Sequence, residues 1–231
     1  MNVKSMIVGL VIAVVASTGT YFIRLLLAVT LSLSFVKVAA SGTGHRIDIV
    51  YPKGAPYIAS GFHSMSGING FWRTNKHQGI DIVGDNGQPI LAAADGKVLD
   101  AEVENCWGPT VSIDHGEGLD GQNIIALYGH VGEILVNEGE KIKRGQIIAR
   151  LGNNHNDYKC IYRVRHLHFQ IGRIWNIDRS VDDWGHKYFL EDGDDGVNPH
   201  IYWADGPGMI TCFDPKRTYK PGTLTYPVPC Q

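Results

Sequence analysis

Arg165-His166-Leu167-His168-Phe169-Gln170-Ile171-Gly172 has the alternation of a β-strand. Side chains on a strand point to opposite faces in turn, so His166 and His168 share a face. Far upstream, His77 and Asp81 form an H-x-x-x-D pair. Two imidazoles and one carboxylate suffice to hold a zinc ion and leave a coordination position open. One histidine then remains beside the metal. That is the arithmetic of a zinc hydrolase.

The surroundings of this strand read as sheet. Short β-like runs at 47–51, 79–83, 89–93, 97–103, 110–114, 124–130 and 165–172 are separated by turns such as Asp85-Asn86-Gly87 and Asp95-Gly96. Glu138-Gly139-Glu140 and Arg144-Gly145-Gln146 bracket two further strand pieces. The 28 glycines suit a turn-rich β architecture. Strand–helix–strand alternation is absent, which argues against a parallel α/β fold. The expected fold is mainly β: an antiparallel sheet packed as a flattened barrel or sandwich.

With 231 residues the chain is long enough for one domain with a substantial core. Residues 1–40 stand apart. They contain Lys4, Arg24, Lys37 and no acid, with apolar runs at 6–16 and 21–35. Val38 and Ala40 suit cleavage by a signal peptidase after Ala40. The expectation is a signal peptide, with a retained membrane anchor as the rival because the combined apolar length could span a bilayer. Either way the body of the chain, 41–231, works outside the cytoplasm, in the periplasm or secreted. The whole chain has a net charge of -2; without residues 1–40, 18 cations face 23 acids, a charge of -5. This excludes a basic nucleic-acid binder.

Four cysteines, Cys106, Cys160, Cys212 and Cys230, all follow the export segment. An even number in an oxidising compartment points to two disulfides, for which sequence allows three pairings. Cys106–Cys160 with Cys212–Cys230 is preferred, because the second pair closes the tail as a short loop. Without a C-x-x-C pair, a cysteine–histidine zinc site is disfavoured.

Zinc catalysis needs three protein ligands and a water activated on the metal. His77, Asp81 and His168 supply the ligands. His166 reaches the water from the same face, and His130, ending the run 124–130, is a second acid/base or oxyanion donor. The other histidines are read as surface, core or loop residues, His155 and His200 among them. The acidic turn at 191–196 lacks EF-hand spacing and is read as a solvated loop.

The strings around these residues occur in a characteristic order: His77-Gln78-Gly79-Ile80-Asp81, Ala94-Asp95-Gly96-Lys97-Val98, Tyr128-Gly129-His130-Val131, Gly145-Gln146-Ile147-Ile148 and His166-Leu167-His168-Phe169-Gln170-Ile171. Together they resemble the lysostaphin-type, or LytM-like, zinc endopeptidases. The resemblance runs from about Ser60 to Ile171 and resumes at Val197-Asn198-Pro199-His200-Ile201-Tyr202. It implies a mostly antiparallel β domain with a substrate groove across the sheet, in which His77, Asp81 and His168 hold zinc. It implies also that His130 and His166 activate the water and stabilise the tetrahedral intermediate, and that the substrate is a peptide stem or cross-link of bacterial peptidoglycan. Two stretches depart from the family. Residues 153–165, before the H-L-H-F strand, are long, charged and hold Cys160. Residues 173–196 look like an insertion, whose tryptophans pack on the sheet or line the groove. A non-catalytic regulator of other wall hydrolases is the alternative function. A lipoyl-type carrier is suggested only by the turns around Lys97 and Lys141 and needs no histidine cluster.

Overall fold

A computed structural model describes residues 47–176, 189–191 and 196–231. Among them lie twelve strands: β1 (Ile58–Ser60), β2 (Gly79–Val83), β3 (Pro89–Leu91), β4 (Gly96–Glu104), β5 (Gly108–Glu117), β6 (Asn123–Gly129), β7 (Glu133–Ile134), β8 (Lys141–Ile142), β9 (Ile147–Arg150), β10 (His166–Gly172), β11 (Ile174–Asn176) and β12 (Phe189–Glu191). Seven of them form one antiparallel sheet in the order β1-β2-β10-β6-β5-β4-β8. β3, β9 and β7 form a second sheet, and β11 with β12 a third. The large sheet ends at β1 and β8, so it is not a closed barrel. The fold is therefore mainly β and antiparallel, with helix limited to short 3-10 turns among the described residues. The proposed export segment, the acidic turn and most of 173–196 lie outside those residues.

The expected run 47–51 is not a strand. Only Val50 pairs, through a single bridge to Met209. Its neighbour in space is an irregular segment of the C-terminal tail, which offers no continuous ladder to extend.

β10 explains why the sheet has two distinct faces. Leu167, Phe169 and Ile171 enter the core with Ile80 and Ile82 of β2, Tyr128 of β6 and Val111 of β5. Burying side chains of this kind stabilises by about 1.5–3 kcal/mol each. Ile90, Ile148 and Ala149 of the small sheet close the same core, together with Trp203, Leu224 and Tyr226 of the tail. His166, His168 and Gln170 face the other way. A slip of one residue would exchange these sets, so the core fixes which face carries the histidines.

Both preferred disulfides are formed, Cys106–Cys160 and Cys212–Cys230. The tail is also tied to the start of the domain. Tyr226 donates its hydroxyl hydrogen to the Pro56 carbonyl at 2.9 Å, and the Gln231 amide donates to that of Gly54 at 3.0 Å. The V-N-P element lies beside β10: Val197 bridges Ile171, and the Asn198 side chain caps the 3-10 turn Pro199–Ile201 by accepting from the His200 amide. Trp203, beyond the insertion, is a core residue, with its indole N–H donating to His200 Nδ1 at 2.9 Å. Trp175 packs near Ile125 and Leu127, and Trp184 lies outside the described residues.

One feature of the large sheet is electrostatically costly. Asp100, Glu102 and Glu104 bring carboxylates close together along β4. Burial first, then repulsion from Glu102 and Glu104, pushes the Asp100 carboxyl up to about 7. A raised folded-state pKa means that the folded chain binds this proton more tightly than the unfolded chain. Asp100 therefore costs stability as pH rises from about 4 to 7. We expect Asp100→Asn to be more stable than wild type above pH 7, by about 2–4 kcal/mol, with the gap closing toward pH 4. Urea unfolding midpoints across that range measure it, and a gap independent of pH would refute the account.

Candidate metal centre

Register places the functional side chains. In the β10–β2 pair His168 stands directly opposite Asp81, and in the β10–β6 pair it stands opposite Gly129. Cross-strand partners on one face have Cβ atoms about 5 Å apart. His77 precedes β2, within reach of both. Gly79 is needed here: a Cβ at that position would lie 2.6 Å from the Phe169 carbonyl and 2.9 Å from the His168 ring.

His77 Nε2, Asp81 Oδ1 and His168 Nδ1 converge. The first lies 3.1 Å from each of the other two, and the last two are 2.9 Å apart. All three residues are buried. Ligand atoms on a tetrahedral zinc at about 2.0–2.1 Å stand about 3.3 Å from one another, so the triangle is of the size a zinc ion needs. The proton arithmetic points the same way. His77 Nδ1 faces the Gly61 carbonyl at 3.0 Å. A carbonyl only accepts, so Nδ1 carries the proton and Nε2 offers a lone pair. His168 Nε2 faces the Gln170 side-chain oxygen at 3.1 Å, an arrangement that puts the proton there and frees Nδ1. Two lone pairs and a carboxylate oxygen thus point at one spot. A single cation satisfies all three, whereas one proton would not. The set fits zinc, and partners of this kind commonly orient metal ligands from behind.

Two more histidines border the triangle. His166 Nε2 is 3.6 Å from Asp81 Oδ1, and His166 Nδ1 donates to the Val164 carbonyl at 2.6 Å. His130 Nδ1 donates to the Trp107 carbonyl at 2.8 Å. The same carbonyl argument leaves both Nε2 atoms unprotonated. The two rings meet edge to face, with centroids 4.9 Å apart. The structure therefore brings together all five residues singled out in the sequence. His155, in the 3-10 turn Asn154–Asn156, and His200, bonded to Trp203, are not part of this group.

Burial works against charge on Asp81, yet electrostatic attraction to the nearby His166 ring and the polar contacts with His168 and His77 outweigh it and hold the carboxyl well below the usual range. Burial is the largest influence on His130, His166 and His168, and it lowers all three below the ordinary histidine value. At His130 the neighbouring His166 and His168 add to the lowering, while Asp81 opposes it at His166 and His168. Neutral imidazoles beside an ionised carboxylate suit metal ligation and proton acceptance.

Sequence reading missed several contributors. Arg73 Nη2 donates to Asp81 Oδ2 at 2.9 Å, leaving Oδ1 for the triangle. Arg73 sits in an irregular loop with no periodicity to mark it. Trp107 stacks on the His130 ring at 4.8 Å and meets the His168 ring edge-on at 5.0 Å. Its one sequence signal was adjacency to Cys106. Gln170 was visible, since it continues the alternation of His166 and His168. Phe71, Trp72 and Tyr162 line the mouth of the groove with Trp107 and Leu127, and Phe71 and Trp72 are 75% and 77% exposed.

Residues 75–182 match the model of Peptidase family M23. Curated relatives include a lipoprotein NlpD/LppB homolog of Pseudomonas aeruginosa, 41% identical over 98 residues, which are 42% of this chain and 29% of that protein. The murein hydrolase activator NlpD of Escherichia coli is 33% identical over 96 residues, covering 41% of this chain and 22% of that protein. The chain thus spans less than a third of the length of either relative. A zinc-containing peptidase of Vibrio cholerae is a solved structure with 29% identity, covering 55% of this chain and 36% of that one, with a TM-score of 0.41.

Proposed function

We propose that the chain, whose residues 75–182 match the model of Peptidase family M23, is an exported zinc metalloendopeptidase that hydrolyses peptide bonds in the stems or cross-links of bacterial peptidoglycan. The observation that carries this reading is the convergence of His77 Nε2, Asp81 Oδ1 and His168 Nδ1, with two further imidazoles at its edge. In this reading those three residues hold one zinc per chain, and residues 41–231 are the peptidase domain, with an insertion around 173–196. Residues 1–40 serve as signal peptide or membrane anchor, which places the domain in the periplasm or outside the cell. The lipoprotein name of the Pseudomonas relative is consistent with an envelope location.

A bound zinc supplies Lewis acidity, which polarises a carbonyl and makes water acidic near neutral pH. The chain's own residues do the rest. His130 and His166 each present Nε2, one to accept the proton of the attacking water and the other, once protonated, to donate to the developing oxyanion. Their Nδ1–H groups donate to backbone carbonyls, which keeps each ring in one tautomer. Arg73 holds Asp81 from behind. Trp107 and Leu127 line the groove, and Phe71, Trp72 and Tyr162 give the peptide an apolar rim.

A second reading, a regulator of other wall hydrolases, draws support from the relative named as a murein hydrolase activator. One experiment separates the two. Peptidoglycan is digested with the full chain, with and without a chelator, and the fragments are identified by mass spectrometry. We expect peptide-bond cleavage that the chelator abolishes and added zinc restores. Zinc-loaded protein that releases no fragment would overturn the peptidase reading and leave the regulator.

A further inference from the structure

His130 sits in an unfavourable backbone conformation, with φ of 65°. For a residue with a Cβ the left-handed region costs roughly 1–2 kcal/mol. Such strain persists only where neighbours over-determine it. The neighbour that does so is Trp107. Its carbonyl accepts the Nδ1–H of His130, and its indole lies against the His130 ring, with an interplanar angle of 23°. Gly129 leaves room for the indole, since a Cβ there would meet Trp107 at 3.3 Å.

Trp107 itself lies in the three-residue turn between β4 and β5, and a turn of that kind is not rigid alone. Three contacts brace it against the unusual loop 153–165. Cys106 is bonded to Cys160. The Cys160 amide donates to the Cys106 carbonyl at 2.9 Å. Gly108, with φ of 72°, packs on the Tyr158 ring so closely that a Cβ would stand 2.8 Å from it.

We propose that Trp107, braced through Cys106–Cys160, is the positioning residue that fixes the tautomer and aim of His130. The loop that departs from the family pattern then acts as the brace of a catalytic histidine. This rests on the peptidase reading above. The catalytic part of the test depends on that reading, and the spectroscopic part does not.

Nitrogen-15 NMR of the full chain reads the His130 tautomer directly. We expect the Nδ1–H form in wild type and in Trp107→Phe, and a mixture in Trp107→Ala. Misplacing a reacting group by about 1 Å can cost about 10²-fold, so Trp107→Ala should lower kcat by about that factor while KM and zinc stoichiometry hold. Trp107→Phe keeps a stacking ring and should stay within about tenfold of wild type, whereas Cys106→Ser/Cys160→Ser loses the brace and should show the mixed tautomer and lowered kcat of Trp107→Ala. An Nε2–H tautomer in wild type would sink the inference, even if Trp107→Ala fails to fold. So would a folded Trp107→Ala with wild-type kcat, or one changed in KM alone, which would make Trp107 a substrate contact. A wild-type chain that cleaves nothing refutes the peptidase reading, while the tautomer still judges Trp107.

Discussion

His168→Ala is expected to abolish both zinc binding and peptidoglycan cleavage. His168 contributes one of three converging atoms, and its loss leaves a two-ligand site in which buried Asp81 keeps His77, Arg73 and, farther off, His166 close by. Removing even an outer partner of a metal ligand typically costs about 10–100-fold in affinity, so removing a ligand should cost more than about 100-fold. Metal analysis of the purified variant, with competition against a chromogenic chelator, measures this. Activity should fall to that of chelator-treated wild type. A variant with one stoichiometric zinc and normal turnover would remove His168 from the ligand set. His168→Ala should remain folded, because the core on the opposite face of β10 is built from Leu167, Phe169 and Ile171.

His166→Ala should behave differently. It should keep zinc near one per chain and lose turnover by about 10²–10⁴-fold, the usual contribution of a positioned acid or base. The distinction rests on geometry. His166 Nε2 is 3.6 Å from Asp81 Oδ1, against 2.9 and 3.1 Å within the triangle, and its Nδ1 proton is committed to Val164. Loss of metal from this variant would show that His166 ligates and would redraw the site.

Much of this site was legible because the chemistry needs few residue types at fixed spacing. An H-x-H strand places both imidazoles on one face by pleat geometry alone, and in β10 Leu167, Phe169 and Ile171 fill the core on the other face. The Cys212–Cys230 closure was legible because a short tail loop favours it. What escaped was whatever depends on irregular backbone. Arg73 reaches Asp81 from a loop, and Trp107 reaches His130 from a turn, so neither obeys a period. The run 47–51 misled for the opposite reason. It has strand-like composition, but it meets an irregular tail segment that gives it one bridge rather than a ladder.

The left-handed backbone at His130 has a consequence for how such chains diverge. Glycine adopts that conformation without penalty, and asparagine tolerates it better than most residues. The backbone conformation therefore favours replacing His130, while its contacts with Trp107 and, on the peptidase reading, its chemistry favour keeping it. A lineage released from catalysis would gain stability by drifting to glycine or asparagine there. On the peptidase reading, the identity of position 130 is thus a marker of the selection the lineage is under.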